Sequence, residues 1–168
     1  MKHATRFWIA AALLLAAAGA ASAGTVSVNY QNADQYADLP IWKQDRAELL
    51  KEFTEHFQHL AQRLPVNQHL NITVTDIDLA GRLEPNRRHF IDDVRILRGG
   101  ADWPTMELSY ALEQDGQVIA SGQEHLKNMM YLERLNKYSS GDPLRYEKPM
   151  MDDWFKSAFG SPTQLSRK

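Results

Sequence analysis

Apolar side chains recur along this chain with two different periods, and the switches between them mark its elements. From Thr25 to Tyr30 the alternation is every second residue, with Val26, Val28 and Tyr30 on one side, the pattern of a half-buried strand. Asn32 to Pro40 reads as a loop. The period then becomes helical: Leu49 or Leu50, Phe53, Phe57, Leu60 or Ala61, and Leu64 form one apolar stripe, with Lys51, Glu52, Glu55 and Arg63 between them. Pro65 ends this helix, because the residue before a proline is pushed out of the α region. Leu70 to Leu79 is a long strand whose parity breaks, since Leu70, Ile72 and Val74 share one side and Ile77 and Leu79 the other. Either a β-bulge near Thr75-Asp76 restores a common face or both faces are covered, and the bulge is the preferred solution.

Ala80 to Asn86, with Gly81 and Pro85, reads as a turn or loop, and Asp93 to Leu97 as a further strand interrupted by Gly99-Gly100 and Trp103-Pro104. Met106, Leu108, Tyr110 and Leu112 alternate cleanly up to Asp115-Gly116, a dipeptide suited to a hairpin turn with positive φ at both positions. The return strand carries Val118, Ala120 and Gly122 and runs toward Leu126. Asn128 to Gly141 is irregular or partly helical. Asp142-Pro143 can open a last helix striped by Leu144, Met151, Trp154, Phe155 and Phe159. Pro149 either kinks that helix or delays its start, and Gly160 and Pro162 close it. The order β-α-β-β-β-β-α predicts an α+β fold, a mainly antiparallel sheet with two amphipathic helices packed on one face.

The first residues follow neither period. Lys2 and Arg6 precede an uncharged apolar run from Phe7 to Ala18, followed by Ala21-Ser22-Ala23. Basic, apolar and small-residue regions in that order are a cleavable secretory signal, and the run is too short to span a membrane as a helix. Residues 1–23 are thus expected to be removed, leaving a single domain at 24–168 with a loose tail after about 160 and no membrane span. Export makes a periplasmic or extracellular site of action the expectation. The chain has no cysteine, which excludes disulfides, thiolate metal sites and cysteine nucleophiles. With 17 basic and 21 acidic residues after the signal, the domain lacks the basic excess that phosphate neutralisation demands of a general nucleic-acid binder.

Three segments, LPVNQHLNITVTDIDLAGR, WPTMELSYALEQDGQVIASG and DPLRYEKPMMDDWF, together resemble the bacterial exported domain-of-unknown-function family 3016. The similarity runs from Val26 to about Phe159. It is most specific at Thr75–Gly81 and at Tyr146-Glu147-Lys148 with Trp154-Phe155. Pro149 stands where relatives tend to have a basic residue, which bears on the continuity of the last helix. The resemblance implies an exported single domain and brings no activity, cofactor or catalytic residue with it.

Candidate chemistry is sparse. Asp76 and Asp78 share a strand face, so they could bind a cation or divide acid and base roles; the bland reading is that they cap a turn, pair with Arg82 or Arg95, or face water at the sheet edge. His56 and His59, three apart on the first helix, are weak metal candidates, because E-H-x-x-H lacks the glutamate between histidines that a zinc protease needs. Phe57 and Leu60 set the buried face, so His56 should flank it and His59 be exposed. His89 with Asp92 and Asp93 forms a polar group before a strand, which on paper could complete a triad with Ser109 or Ser121. Trp103, beside Pro104 in a loop after two glycines, divides between packing and binding. Asp152-Asp153 reads as a solvated helix face. No phosphate-cradling glycine loop or nucleotide fingerprint occurs. The reading that follows is an exported, non-enzymatic binding or accessory domain with no cofactor, whose sheet edge recruits a partner strand or a second copy. Its rivals are a small hydrolase using Asp76, Asp78 and a histidine such as His89, and a divalent-metal module.

Overall fold

The computed structural model describes residues 23–36, 38–40, 42–85 and 93–160. The expected signal up to residue 22, His89, Asp92 and the tail after 160 lie outside the described residues. The elements in chain order are β1 (Thr25–Tyr30), α1 (Lys43–Ala61), β2 (Gln68–Asp78), β3 (Arg82–Pro85), β4 (Asp93–Ile96), β5 (Thr105–Gln114), β6 (Gln117–Lys127) and α2 (Lys148–Phe159). This is the α+β class that the periodicities predict.

The main sheet has the order β1-β2-β5-β6. β1 runs parallel to β2, and a parallel neighbour requires a crossover, which α1 supplies. β2, β5 and β6 pair antiparallel. The break in parity along β2 is a bulge: Val74 faces Leu108 and Asp76 faces Glu107, so Thr75 is the extra residue. It returns Ile77 and Leu79 to the buried side, where they join Leu70, Ile72 and Val74. At the hairpin, Asp115 and Gly116 both take positive φ, 51° and 80°. Where a loop was expected after Ala80, Arg82–Pro85 instead pairs with Asp93–Ile96 as a separate two-stranded ribbon. Pro85 is tolerated there because it ends its strand.

Both helices bury their stripes in one core with the inner face of the main sheet: Phe53, Phe57 and Leu60 from α1, Met150, Met151, Trp154 and Phe155 from α2. The outer face of β1 and β2 is polar and tied across strands. His69 hydrogen-bonds Thr25 Oγ1 at 2.7 Å and Ser27 Oγ at 3.0 Å, and Asn71 Nδ2 donates to Glu113 Oε1 at 2.9 Å. α2 begins at Lys148, so Pro149 falls in the first turn, where no N–H is needed. Asp142-Pro143 therefore does not open this helix. Asp142 instead closes a separate turn by accepting from the Leu144 N–H at 2.9 Å.

The residue just before α2 holds the layers together. Glu147 is fully buried, and its Oε1 accepts from the Ala80 N–H at 2.9 Å and from Arg95 Nη1 at 3.0 Å. One carboxylate thus joins the end of β2, the β3–β4 ribbon and the start of α2. A buried charge of this kind is costly to expose or unpair. Next to it Gly81, at φ 73°, donates its N–H to the Asp102 carbonyl at 2.8 Å and lies so close to the Ile96 carbonyl that a β-carbon has no room. Glu147→Ala strands Arg95 and the Ala80 N–H, and should cost about 3–5 kcal/mol of unfolding free energy in urea. A loss under about 1 kcal/mol, within the range of an ordinary surface substitution, would show that the carboxylate does not hold the layers.

Candidate functional site

The amphipathic stripe of α2 that buries Met151 and Phe155 turns Asp152, Asp153 and Lys156 toward the segment 128–138 and the end of α1. Together they enclose a cleft of about 290 Å³. Its walls carry four cations, Arg63, Arg134, Lys137 and Lys156, against two carboxylates, Asp152 and Asp153, with Leu135 and Pro149 as apolar wall.

Asp152 is the hub. Its Oδ1 lies 3.2 Å from His56 Nε2, and its Oδ2 accepts from the Tyr138 hydroxyl at 2.6 Å and pairs with Lys137 Nζ at 2.7 Å. Burial alone would raise this carboxyl. The hydrogen bonds from His56, Lys137 and Tyr138 outweigh it and hold Asp152 well below the usual carboxylate range. Burial first, and then the bond to Asp152, push the Tyr138 phenol above its ordinary value. Asp153 is exposed and pairs with Arg134 at 2.6 Å.

The segment 128–138 is pinned in place. The Asn128 N–H donates to the Pro104 carbonyl at 3.2 Å, the Tyr131 hydroxyl to Asp102 at 2.7 Å, and Asn136 Nδ2 to the Arg145 carbonyl at 2.7 Å. Burial and the bond to Asp102 take Tyr131 up to about 12. Burial would raise Asp102, but the Arg98 N–H and the Tyr131 hydroxyl hold it below its ordinary value. Arg134 and Lys137 are thus committed to carboxylates, whereas the side chains of Arg63 and Lys156 have no hydrogen-bond or ion-pair partner among the described residues. The cleft can therefore hold an anion. Among the described residues no serine or threonine lines it, and the one carboxylate–histidine pair beside it is closed up inside the structure.

A second grouping lies at the far end of β2. The bulge sends Asp76 and Asp78 to the outer side, and Asp38, from the loop after β1, hydrogen-bonds Asp78. Burial first, then that bond and the charges of Asp38 and Asp76, raise Asp78 from an ordinary 3.8 to about 7. Tyr36 fixes the loop by donating to the Val74 carbonyl at 2.8 Å, and burial with the charge of Asp76 takes it up to about 12.

The structure thus brings Asp76 and Asp78 together as the strand spacing predicts, and adds Asp38, which no local pattern marks. Among the described residues no three histidine, aspartate or glutamate side chains are arranged to hold a metal ion. His56 does not flank the core but is buried in it, because Asp152 reaches back across the helix pair to satisfy its ring nitrogen. His59 is exposed, its ring 6.4 Å from that of His56, whose Nε2 is engaged by Asp152. Trp103 is half-buried just before β5. Asp152 is not the solvated residue its polar face suggests, although Asp153 is. Arg63, Lys137 and Lys156 escaped sequence reasoning as site residues, whereas Tyr138 belongs to a set of tyrosines and tryptophans whose polar handles suit a binding surface. The only local hint is that cations and tyrosines crowd residues 131–138.

A family model described as protein of unknown function, DUF3016, matches residues 24–157. The chain belongs to this family. No curated protein matches it. Among solved structures it is similar to a crystal structure of a Xanthomonas campestris protein of the DUF330 family, at 12% identity and a TM-score of 0.38, over 82% of this chain and 80% of the other.

Asp78 retains its proton in the folded chain up to about pH 7, whereas the unfolded chain releases it near 3.8. The folded state therefore binds more protons between those values, and this group's stabilisation is lost as pH rises through that window. Asp78→Asn should flatten the fall in stability between about pH 4 and 7, read by chemical unfolding across pH. An unchanged slope would place the shared proton elsewhere.

Proposed function

We propose that this protein is an exported domain that binds an anionic ligand in the cleft beside α2 and leaves it chemically unchanged. The observation that carries the reading is the charge imbalance of the cleft. Two carboxylates are matched by Lys137 and Arg134, and Arg63 and Lys156 remain, in a chain whose formal net charge is −2. Cations in a concave, partly apolar wall favour an anion through charge-assisted hydrogen bonds, which exceed neutral ones in strength. The absence of a positioned nucleophile among the described residues of the cleft, and the engagement of both His56 and Asp152, favour binding over hydrolysis.

Support for export comes from the basic, apolar and small-residue order of residues 1–23. It also comes from the point where the fold starts. Gly24 is buried, its N–H donates to the Leu64 carbonyl at 3.0 Å, and a β-carbon there would meet Leu64. Cleavage after Ala23 leaves the first residue of the folded domain as the new terminus.

The test is thermal unfolding of the mature chain with sn-glycerol 3-phosphate and, separately, with inorganic phosphate. A ligand that prefers the folded state raises Tm with concentration. Removing two charge-assisted contacts by Arg63→Gln/Lys156→Gln should weaken the apparent affinity at least about tenfold. Equal shifts for parent and variant would sink the reading.

A second reading has its own observation. β6 is an eleven-residue strand at the margin of the main sheet, and Val118 and Ile119 are exposed on it. Such an edge can take a partner strand or a second copy through backbone hydrogen bonds. Prolines at Ser121 and Gly122, introduced one at a time, place the lost N–H on opposite edges of β6. The variant that keeps its stability should lose concentration-dependent association in sedimentation, and association unchanged in that variant would exclude the edge.

A further inference from the structure

The segment that walls the cleft also shows the densest apolar exposure of the described residues. Four of their eight exposed large hydrophobic side chains fall within seven positions: Met129 at 54%, Met130 at 51%, Leu132 at 48% and Leu135 at 105% relative exposure. These side chains are not loose. The backbone turns on itself through the Glu133 and Arg134 N–H groups, both donating to the Met130 carbonyl at 3.0 Å. Tyr131, between the methionines and Leu132, is buried and bonded to Asp102. The turn is therefore fixed from beneath while its apolar residues are held outward. Leu135 is both the most exposed of them and part of the cleft wall that carries Arg63 and Lys156.

We propose that this turn docks on the surface of an anionic phospholipid bilayer. Met129, Met130, Leu132 and Leu135 enter the headgroup–acyl boundary, and Arg63 and Lys156 meet lipid phosphates in the cleft. The inference rests on the anion-binding reading and names its ligand. Charge decides in favour of a membrane. A ligand recognised by cations that have no partner among the described residues, beside a fully exposed leucine, carries an anionic head on an apolar body, and a bilayer of such molecules presents both at once. Within the turn, Glu133 is the sole acid, and Asp152 and Asp153 behind it are already matched by Lys137 and Arg134. Negative lipid thus meets no uncompensated carboxylate in the cleft. Among the described residues no helix is long and apolar enough to cross a membrane. The docking proposed for this turn is a surface contact, and it should weaken with salt as headgroup attraction is screened.

The experiment is flotation of the full mature chain with vesicles of phosphatidylcholine alone and of phosphatidylcholine mixed with phosphatidylglycerol. Thermal unfolding with sn-glycerol 3-phosphate runs in parallel. The parent should float with the mixed vesicles and not with the neutral ones, and less at high salt. Met129→Gln/Met130→Gln/Leu132→Gln changes exposed side chains that lie outside the cleft wall, so its Tm should match the parent. It should lose at least tenfold in vesicle affinity while keeping its glycerol phosphate response. Arg63→Gln/Lys156→Gln should lose both. Glycerol phosphate binding without vesicle binding overturns the docking proposal and leaves the anion reading standing, and no response to either overturns both. Vesicle binding unchanged in the apolar variant overturns the assignment to this turn. Absent vesicle binding, with self-association lost in the apolar variant, gives the patch to a second copy and likewise overturns it.

Discussion

The carboxylate of Glu147 is the constraint on which the rest of the arrangement depends. With no solvent to share its charge, it takes the Ala80 N–H and the Arg95 guanidinium, and so fixes the end of β2 and the β3–β4 ribbon to one point. Its own carbonyl accepts from the Met150 N–H at 3.1 Å, so the residue that anchors the sheet also starts α2. Pinning the first turn of a helix fixes the direction of every later side chain on it. Met151 and Phe155 then face the core, while Asp152 faces His56 and Asp153 faces Arg134. The cleft is a consequence of that rotation. Two segments within the family match, Thr75–Gly81 and Tyr146–Lys148, meet at this carboxylate.

A second constraint acts at the bulge in β2. An extra residue at Thr75 shifts the register by one, which turns what would be a flipped strand end into a continuous buried row through Ile77 and Leu79. The same shift puts Asp76 and Asp78 on the outer side beside Asp38, where like charges cannot all ionise cheaply. The raised carboxyl of Asp78 is thus a product of packing the strand's other face. It opposes Asp152 in pH response: one group loses its contribution as pH rises toward neutrality, the other only as acid reprotonates it.

What could be read from the sequence is what depends on neighbours in the chain. The parity break gave the bulge, Asp115-Gly116 gave the hairpin, and the apolar stripe gave α1, because strand, turn and helix periods are local properties. β3 was missed because it has only four residues, the last of them Pro85, too few to show a period. The cleft was illegible for a stronger reason. His56 and Asp152 are 96 positions apart, and each alone looks like polar surface. Asp38 meets Asp78 across 40 positions, and nothing in an Asp-Leu-Pro loop announces it. A family resemblance could mark Glu147 as part of a specific motif, but only the fold shows the carboxylate buried.

The charges of the cleft carry the last step. Burying Asp152 needs a donor set, and His56, Tyr138 and Lys137 provide one; Asp153, already in water, takes Arg134. The fold requires nothing further of this surface. Arg63 and Lys156 line it without a hydrogen-bond or ion-pair partner among the described residues. The exposed Leu135 beside them carries apolar area that contact with a partner would take out of water. The proposed ligand, an anionic headgroup with an apolar tail, would meet both features at once. Two unrelated features answered by one class of ligand make a stronger argument for a binding surface than either the charge or the hydrophobicity alone.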